Sequence, residues 1–320
     1  MSRAEPSRPL PLTRRALLAG SVSALTVGLA RRPAAQAPAA TPAPTFTEIR
    51  RGVGIFTLRG GTIGYLVNDA GALAVDSQYP DTAPQALAGL SRRSPKGVEL
   101  LLNTHHHADH TGGNQVFRAT ARRIVAHVNC LEWHRRTAAT AGTEGQQSFA
   151  DTTFTDQWRS TFGDETVRAR HYGAGHTGGD AVIHFERANV VHMGDLLFNR
   201  AHPNIDPPAG ARVGHWISVL DTVSAAHAAD TVFIAGHGRD NQVQCTTADL
   251  AHFRNYLTAS LDAARKAIAA GQSRDELVKT ASLPGFEDTI ALNARLTQGF
   301  VLGVCFDELG GKHQRLAASG

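Results

Sequence analysis

Short apolar runs separated by glycine- and proline-marked breaks recur along most of this chain, the pattern of many short strands with helices between them. Apolar, β-favouring residues predict strands over 46–50, 53–58, 62–69 and 72–76, then a helix over 81–92 and a buried strand over 98–103. A short helix near 112–119, a strand at 123–127 and a helix near 129–139 come next. Residues 140–165 read as polar and irregular, with Phe154, Trp158 and Phe162 scattered through them. A connection of that length is usually functional or disordered; its aromatics would either cover a neighbouring cleft as a lid or, in a surface insertion, pack on the body. Strands at 166–170, 180–186 and 189–193, a helix over 213–228 and a strand at 231–235 follow, then helices near 247–270, 273–281 and 288–298. With no internal repeat and no boundary after residue 46, this mixture predicts one α/β domain layered α, β, β and α.

The polar residues that interrupt the pattern are unevenly placed. The apolar run Val98–Leu102 leads into His105-His106-His107-Ala108-Asp109-His110, four histidines and one aspartate within six residues. Thr111-Gly112-Gly113-Asn114 then turns the chain toward a helix. A rigid strand end that presents imidazole and carboxylate together suits a borderline cation such as zinc. Three later segments repeat the arrangement: Gly173-Ala174-Gly175-His176-Thr177-Gly178-Gly179-Asp180, Val190-Val191-His192-Met193-Gly194-Asp195 and Val232-Phe233-Ile234-Ala235-Gly236-His237-Gly238. Each sets a ligand-type side chain at or just past a β-rich run, among glycines that let the backbone turn and approach closely. One such segment says little; four in order point to a metal centre built on strand ends. His106 points away from His105 and His107 in alternating geometry, so it reads as structural. His171, His184 and His192 fit strand packing better than ligation. Ala72-Leu73-Ala74-Val75-Asp76 reads as a strand ending in a carboxylate.

The order H-x-H-x-D-H, lone His, Asp, final His resembles the metallo-β-lactamase-fold superfamily of hydrolases over roughly residues 46 to 310. The resemblance implies a four-layer αβ/βα sandwich with C-terminal helices. It also implies two metal ions: one held by His105, His107 and His176, a second by Asp109, His110 and His237, with Asp195 and a water bridging both. Two divalent cations about 3.5–4 Å apart polarise a carbonyl, lower the pKa of a shared water and stabilise a tetrahedral oxyanion. Asp109 is the candidate for orienting that water and carrying its proton, and Asp76 for supporting the ligands from behind. Residues 199–210, rich in proline, follow Asp195 and are expected to line the site, with Arg200 or His202 contacting a substrate carboxylate or carbonyl.

Composition changes the picture at one end only. The 320-residue chain is 42% hydrophobic and 19% charged, enough apolar content for a sizeable core. Its formal charge of +4 comes from the N-terminus. Residues 1–37 hold six arginines and one glutamate; without them the 32 basic residues become 26, the 28 acidic become 27, and the net charge is near −1. No nucleic-acid footprint remains. Thr13-Arg14-Arg15-Ala16-Leu17-Leu18 is a twin-arginine motif, and the stretch from Ala16 to Ala30 is too short and too polar for a stable membrane span. Ala35-Gln36-Ala37 offers a cleavage site, and residues 38–45 read as an extended linker. Residues 1–37 are therefore expected to be a signal for the twin-arginine export machinery, which carries folded proteins to the periplasm or outside of a bacterium, with the catalytic domain spanning 46–320. Cys130, Cys245 and Cys305 are too few and scattered for a disulfide framework.

Three functional classes fit. The first is a dinuclear zinc hydrolase of a small-molecule ester, lactone or thioester. A bridging Asp at this point resembles glyoxalase II-like thioesterases and lactonases, whereas β-lactam-opening members commonly carry Cys or Ser there, the Cys type with a nearby Lys. The segment Gly194-Asp195-Leu196-Leu197-Phe198-Asn199-Arg200 has none of these. Export to the periplasm keeps β-lactam hydrolysis as the alternative. The second class is an iron-dependent oxidoreductase, since the same ligand letters hold iron or manganese. The third is a metal-holding accessory protein, against which a complete ligand set argues.

Overall fold

The structure, a computed structural model, describes residues 43–310. The twin-arginine segment, its cleavage site and the linker up to residue 42 lie outside the described residues. Seven strands form a first sheet in chain order: β1 (Thr45–Arg50), β2 (Val53–Thr57), β3 (Ile63–Asn68), β4 (Gly71–Val75), β5 (Val98–Leu102), β6 (Arg123–His127) and β7 (Thr152–Phe154). The first four are antiparallel neighbours, whereas β4 to β7 run parallel. Parallel neighbours need crossovers: α1 (Ala83–Arg93), then α2 (Ala108–Thr111) with α3 (Asn114–Phe117), then α4 (Val128–Ala141).

Next in the chain are β8 (Gln157–Phe162), β9 (Glu165–Arg170), β10 (Val182–Phe185), β11 (Val190–His192), the two-residue β12 (Phe198–Asn199), α5 (Val213–Ala226), β13 (Val232–Ile234), β14 (His237–Gly238) and β15 (Gln244–Cys245). The second sheet runs β15-β13-β11-β10-β9-β8, and β12 pairs with β14 alone. Helices α6 (Thr247–Ala269), α7 (Arg274–Leu277) and α8 (Gln298–Glu308) complete the described chain.

Strand alternation decides what each face buries. In β4, Ala72 and Ala74 cluster with Ala83, Ala86 and Leu90 of α1, while Leu73 and Val75 enter the larger core. Leu101 of β5 joins the first set, Leu100 and Leu102 the second. The larger core takes in Ile183, Phe185, Val191 and Phe233 of the second sheet and continues to Trp216, Leu257 and Leu302 of α5, α6 and α8. The result is the expected four-layer αβ/βα sandwich with C-terminal helices.

Three local expectations are corrected. Residues 140–165 are not irregular: they contain β7 and β8. Phe154 is buried, and Trp158 and Phe162 pack against the core on the inward positions of an edge strand, so these aromatics pack on the body. The helix near 112–119 shrinks to the single turn α3, and α2 is a separate turn just before it. The helix expected over 288–298 is absent, and α8 starts only at Gln298. There the Asn293 side chain accepts from the Arg295 and Leu296 amides, a local turn that competes with helix, and the Thr297 hydroxyl caps the helix that follows.

Candidate metal centre

The centre lies where β4, β5 and the second sheet end. The chain leaves β5 through Asn103 and Thr104, both buried, directly into His105. Asp76, just past β4, ties this exit together. Its Oδ1 accepts from the Thr104 amide at 2.8 Å and its Oδ2 from the Thr104 hydroxyl at 2.7 Å. The same Oδ2 accepts from His110 Nδ1 at 2.8 Å. His105 Nδ1 donates to Thr104 Oγ1 at 3.0 Å, His176 Nδ1 to the Asn204 carbonyl at 2.9 Å, and His107 Nε2 to Asp206 Oδ2 at 3.0 Å. Each ring is thus fixed by one nitrogen and offers the other. Two glycines make the approach possible. A Cβ on Gly236 would lie 2.0 Å from Asp195 Oδ1, and one on Gly61 2.1 Å from the His110 ring.

Among the described residues the ligand atoms gather in three groups: His105 with His107, His176 and Asp195; Asp109 with His110 and His237; and His106 with His107 and Asp206, which meets His107 on the ring edge turned away from His176. Asp195 stands between the first two. Its Oδ2 is 3.5 Å from His176 Nε2 and 3.9 Å from His105 Nε2, while its Oδ1 is 3.0 Å from His110 Nε2 and 3.4 Å from His237 Nε2. Asp109 Oδ2 lies 3.0 Å from His237 Nε2.

Charge divides the same way. Burial pushes His105 well below the ordinary imidazole value and His176 down to about 3. For His110 and His237 burial opposes the charge but loses: Asp195 and Asp109 hold His110 well above its usual value and raise His237 to about 10. In return Asp109 and Asp195 sit below the carboxylate range, the two imidazoles outweighing burial. Neutral rings, ionised carboxylates and protons held where a cation's charge would go are what a divalent metal requires and displaces. Two contacts fit that group. His105 Nε2 is buried with no hydrogen-bond partner. His107 Nδ1 and His176 Nε2 face each other at 2.9 Å, although the other nitrogen of each ring already donates elsewhere; a cation between them turns a lone-pair clash into ligation.

The remaining candidates sit outside this convergence. His106 turns to the other side, its ring 5.9 Å from Trp133 and its Nε2 3.7 Å from Asp206 Oδ2. His192 donates to the Thr62 carbonyl and accepts from the Gly194 amide. His171 stacks on His127, and His184 packs edge-on against His227. All three cysteines are buried and unpaired. Arg200 and His202 do not line the cleft. The Arg200 guanidinium lies between Asp288 at 3.3 Å and Asp249 at 3.7 Å, and buried His202 bonds the Tyr256 hydroxyl through Nδ1. The 199–210 loop instead reaches the site through Asn204 and Asp206, which hold His176 and His107. Thr104 does the same for His105. Sequence reasoning passed over these three, and the only available signal was their position beside predicted ligands. The cleft in front of the centre, about 520 Å³, is walled by Tyr79, Arg59 and the stretch Leu292–Leu296. An apolar pocket of about 310 Å³, lined by Pro80, Ala138 and Ala141, adjoins it, with Tyr79, His107 and Ala108 lining both.

Residues 57–269 match the family described as the Metallo-beta-lactamase superfamily. The chain is similar to the 2,4-dinitroanisole O-demethylase subunit alpha of Nocardioides sp. (strain JS1661), 28% identical over 48% of this chain and 47% of that protein. It is 28% identical to the hydroxyacylglutathione hydrolase of Methylococcus capsulatus over 42% of this chain and 47% of that one. It is 23% identical to metallo-beta-lactamase IND-1 of Chryseobacterium indologenes over 54% and 70%. The chain thus spans about half the length of the first two relatives. Among solved structures, a double mutant of the sec-alkyl sulfatase PisA1 superposes with a TM-score of 0.63 at 15% identity, covering 84% of this chain and 51% of that one. The metallo-beta-lactamase from Pontibacter korlensis gives 0.56 at 18% identity, covering 68% and 99%. At such identities the superpositions speak for the fold alone. The family pattern, however, spans more than half of the chain and includes all seven converging His and Asp residues; the chain belongs to the metallo-β-lactamase superfamily.

Proposed function

We propose that this protein hydrolyses an ester, lactone or thioester of a small molecule at a centre of two divalent metal ions, zinc in the first place. The observation that carries this reading is Asp195, whose two oxygens face two different ligand groups. His105, His107 and His176 would hold one ion, Asp109, His110 and His237 the other, and Asp195 both. Such ions, when bound, polarise a carbonyl and make a water acidic enough to react near neutral pH.

The chain's own groups supply the rest. Asp109 is kept ionised by His110 and His237, and its side chain is 22% exposed against 4% for Asp195. It is therefore the carboxylate of the centre most open to the cleft, placed to orient the attacking water, accept its proton and return it to the leaving oxygen or sulfur. Asp76, Asn204 and Asp206 keep the rings from turning. The pocket under α4 takes an apolar part of the substrate.

Elemental analysis of the purified protein is expected to find about two metal ions per chain, mostly zinc, and a panel of thioesters, lactones and aryl esters to be cleaved faster than nitrocefin. One iron and no zinc would sink this reading. Hydrolysis of a β-lactam is the second reading, favoured by the alignment over 70% of IND-1; nitrocefin cleaved fastest would promote it. We also propose that residues 1–37 direct export of the folded protein through the twin-arginine machinery to the periplasm or beyond. N-terminal sequencing of the exported protein should then start at Pro38, and retention in the cytoplasm with an intact Met1 would refute it.

A further inference from the structure

Two arginines stand on the cleft in front of the metal centre, Arg59 and Arg295. They differ in partners. Arg59 is ion-paired to Asp81 and lies 4.4 Å over the Tyr79 ring. Arg295 has no ion pair with any carboxylate among the described residues. Its exposed guanidinium donates to Asn204 Oδ1 at 3.1 Å and has the Phe300 ring 5.8 Å away. Asn204 is also the residue whose carbonyl fixes His176. Arg295 therefore stands one residue from a metal-ligand ring, on the open side.

The position is a built one. Residues 281–297 form neither a regular helix nor a strand, yet the segment is tied down repeatedly. Arg200 pairs with Asp288 at 3.3 Å. The Ile290 amide donates to the Arg200 carbonyl at 3.0 Å, and the His202 amide to the Ile290 carbonyl at 2.9 Å. The Asn293 side chain closes the turn that carries Arg295. A further cation beside a centre that binds cations is repelled by that centre, and it lowers the energy of an anion placed between them. The forked guanidinium matches an oxyanion such as a carboxylate.

We infer that Arg295 binds a carboxylate on the substrate, so that the compound cleaved is an anionic ester, lactone or thioester rather than a neutral one. The inference rests on the hydrolase reading for the bond that is cleaved; the anion subsite itself rests on Arg295 and the segment that carries it. The test compares 4-nitrophenyl hydrogen glutarate with methyl 4-nitrophenyl glutarate on the zinc-loaded protein. The wild type should prefer the anion in kcat/KM by about tenfold, the worth of one charge-assisted hydrogen bond. Arg295→Gln should collapse that ratio through KM, and Arg295→Lys, which keeps the charge but not the fork, should restore part of it. A ratio that Arg295→Gln leaves intact overturns the inference. So does a Lys variant that behaves like the Gln variant, which would make Arg295 a strut between the segment and Asn204. Calorimetry with glutarate and monomethyl glutarate reads the same preference without turnover. If neither ester is cleaved but glutarate binding depends on Arg295, the hydrolase reading falls and the anion subsite stands. If esters are cleaved with no preference for the anion, the reverse holds.

Discussion

Two stretches border the same cleft and are mounted in opposite ways. The metal loop, residues 103–110, leaves the end of β5 into the interior, with His105 and His110 at 1% and 0% exposure. Three of its rings are pinned by a second bond, His105 to Thr104, His107 to Asp206 and His110 to Asp76. The facing segment, residues 281–297, has Ile290 and Leu292 each 37% exposed and is held by side-chain ties and one bridge, Ala201 to Ile290. The difference matches the two roles proposed for them. Ligands must stay within fractions of an ångström of their geometry, and a strand end gives that precision. A wall that selects among substrates tolerates looser mounting. Substitutions in the loop should therefore change turnover and metal content, and substitutions in the wall should change KM and substrate preference.

Asp109→Asn gives the largest expected effect. The amide keeps an oxygen for ligation but cannot take a proton. Turnover should fall by about 10²- to 10⁴-fold, the usual worth of a positioned acid–base group, while at least one metal stays bound. Steady-state kinetics with elemental analysis of the same sample checks both. Unchanged turnover would remove the proton role from Asp109 and leave the loop as a holder of metal only.

The contrast between the two stretches also marks what could be read in advance. The residues that converge were legible because each sits in a local pattern, an apolar run, a glycine and a His or Asp, repeated four times in order. The layers were legible for the same reason: period-two alternation in β4 and β5 sorts Ala72, Ala74 and Leu101 from Leu73, Val75 and Leu102. What could not be read depends on contacts distant in sequence. Within 199–210 the charge of Arg200 and the ring of His202 drew attention, but Arg200 sits at φ 53° and is engaged by Asp249 and Asp288, while Asn204 and Asp206 reach the ligand rings. No local signal separates those pairs. In β8, Trp158, Ser160 and Phe162 alternate with exposed Gln157, Arg159 and Thr161. With a serine between the two aromatics, that alternation looks like noise until β9 pairs with it. The i,i+4 spacing of Leu292 and Leu296 imitates a helix, but Asn293 turns the backbone first.

The smallest expected effect probes whether wall and loop are independent. Asp288→Asn removes the charge that Arg200 grips at 3.3 Å and leaves the Asp288 carbonyl that Arg239 also bonds. The pair is 26% and 44% exposed, so its loss should cost no more than about 1 kcal/mol, a fall in Tm of about 2–4 °C at most for a chain of this size. One kilocalorie corresponds to a factor of about five in an equilibrium, which bounds the rise in KM for an anionic ester as Arg295 loses one of the ties on its segment. Metal content and kcat should stay where they were, because none of the bonds that pin His105, His107, His110 or His176 passes through Asp288. A drop in metal content alongside the KM change would mean that the Arg295–Asn204–His176 line transmits strain, making wall and loop one mechanical unit and ending the division of labour between them.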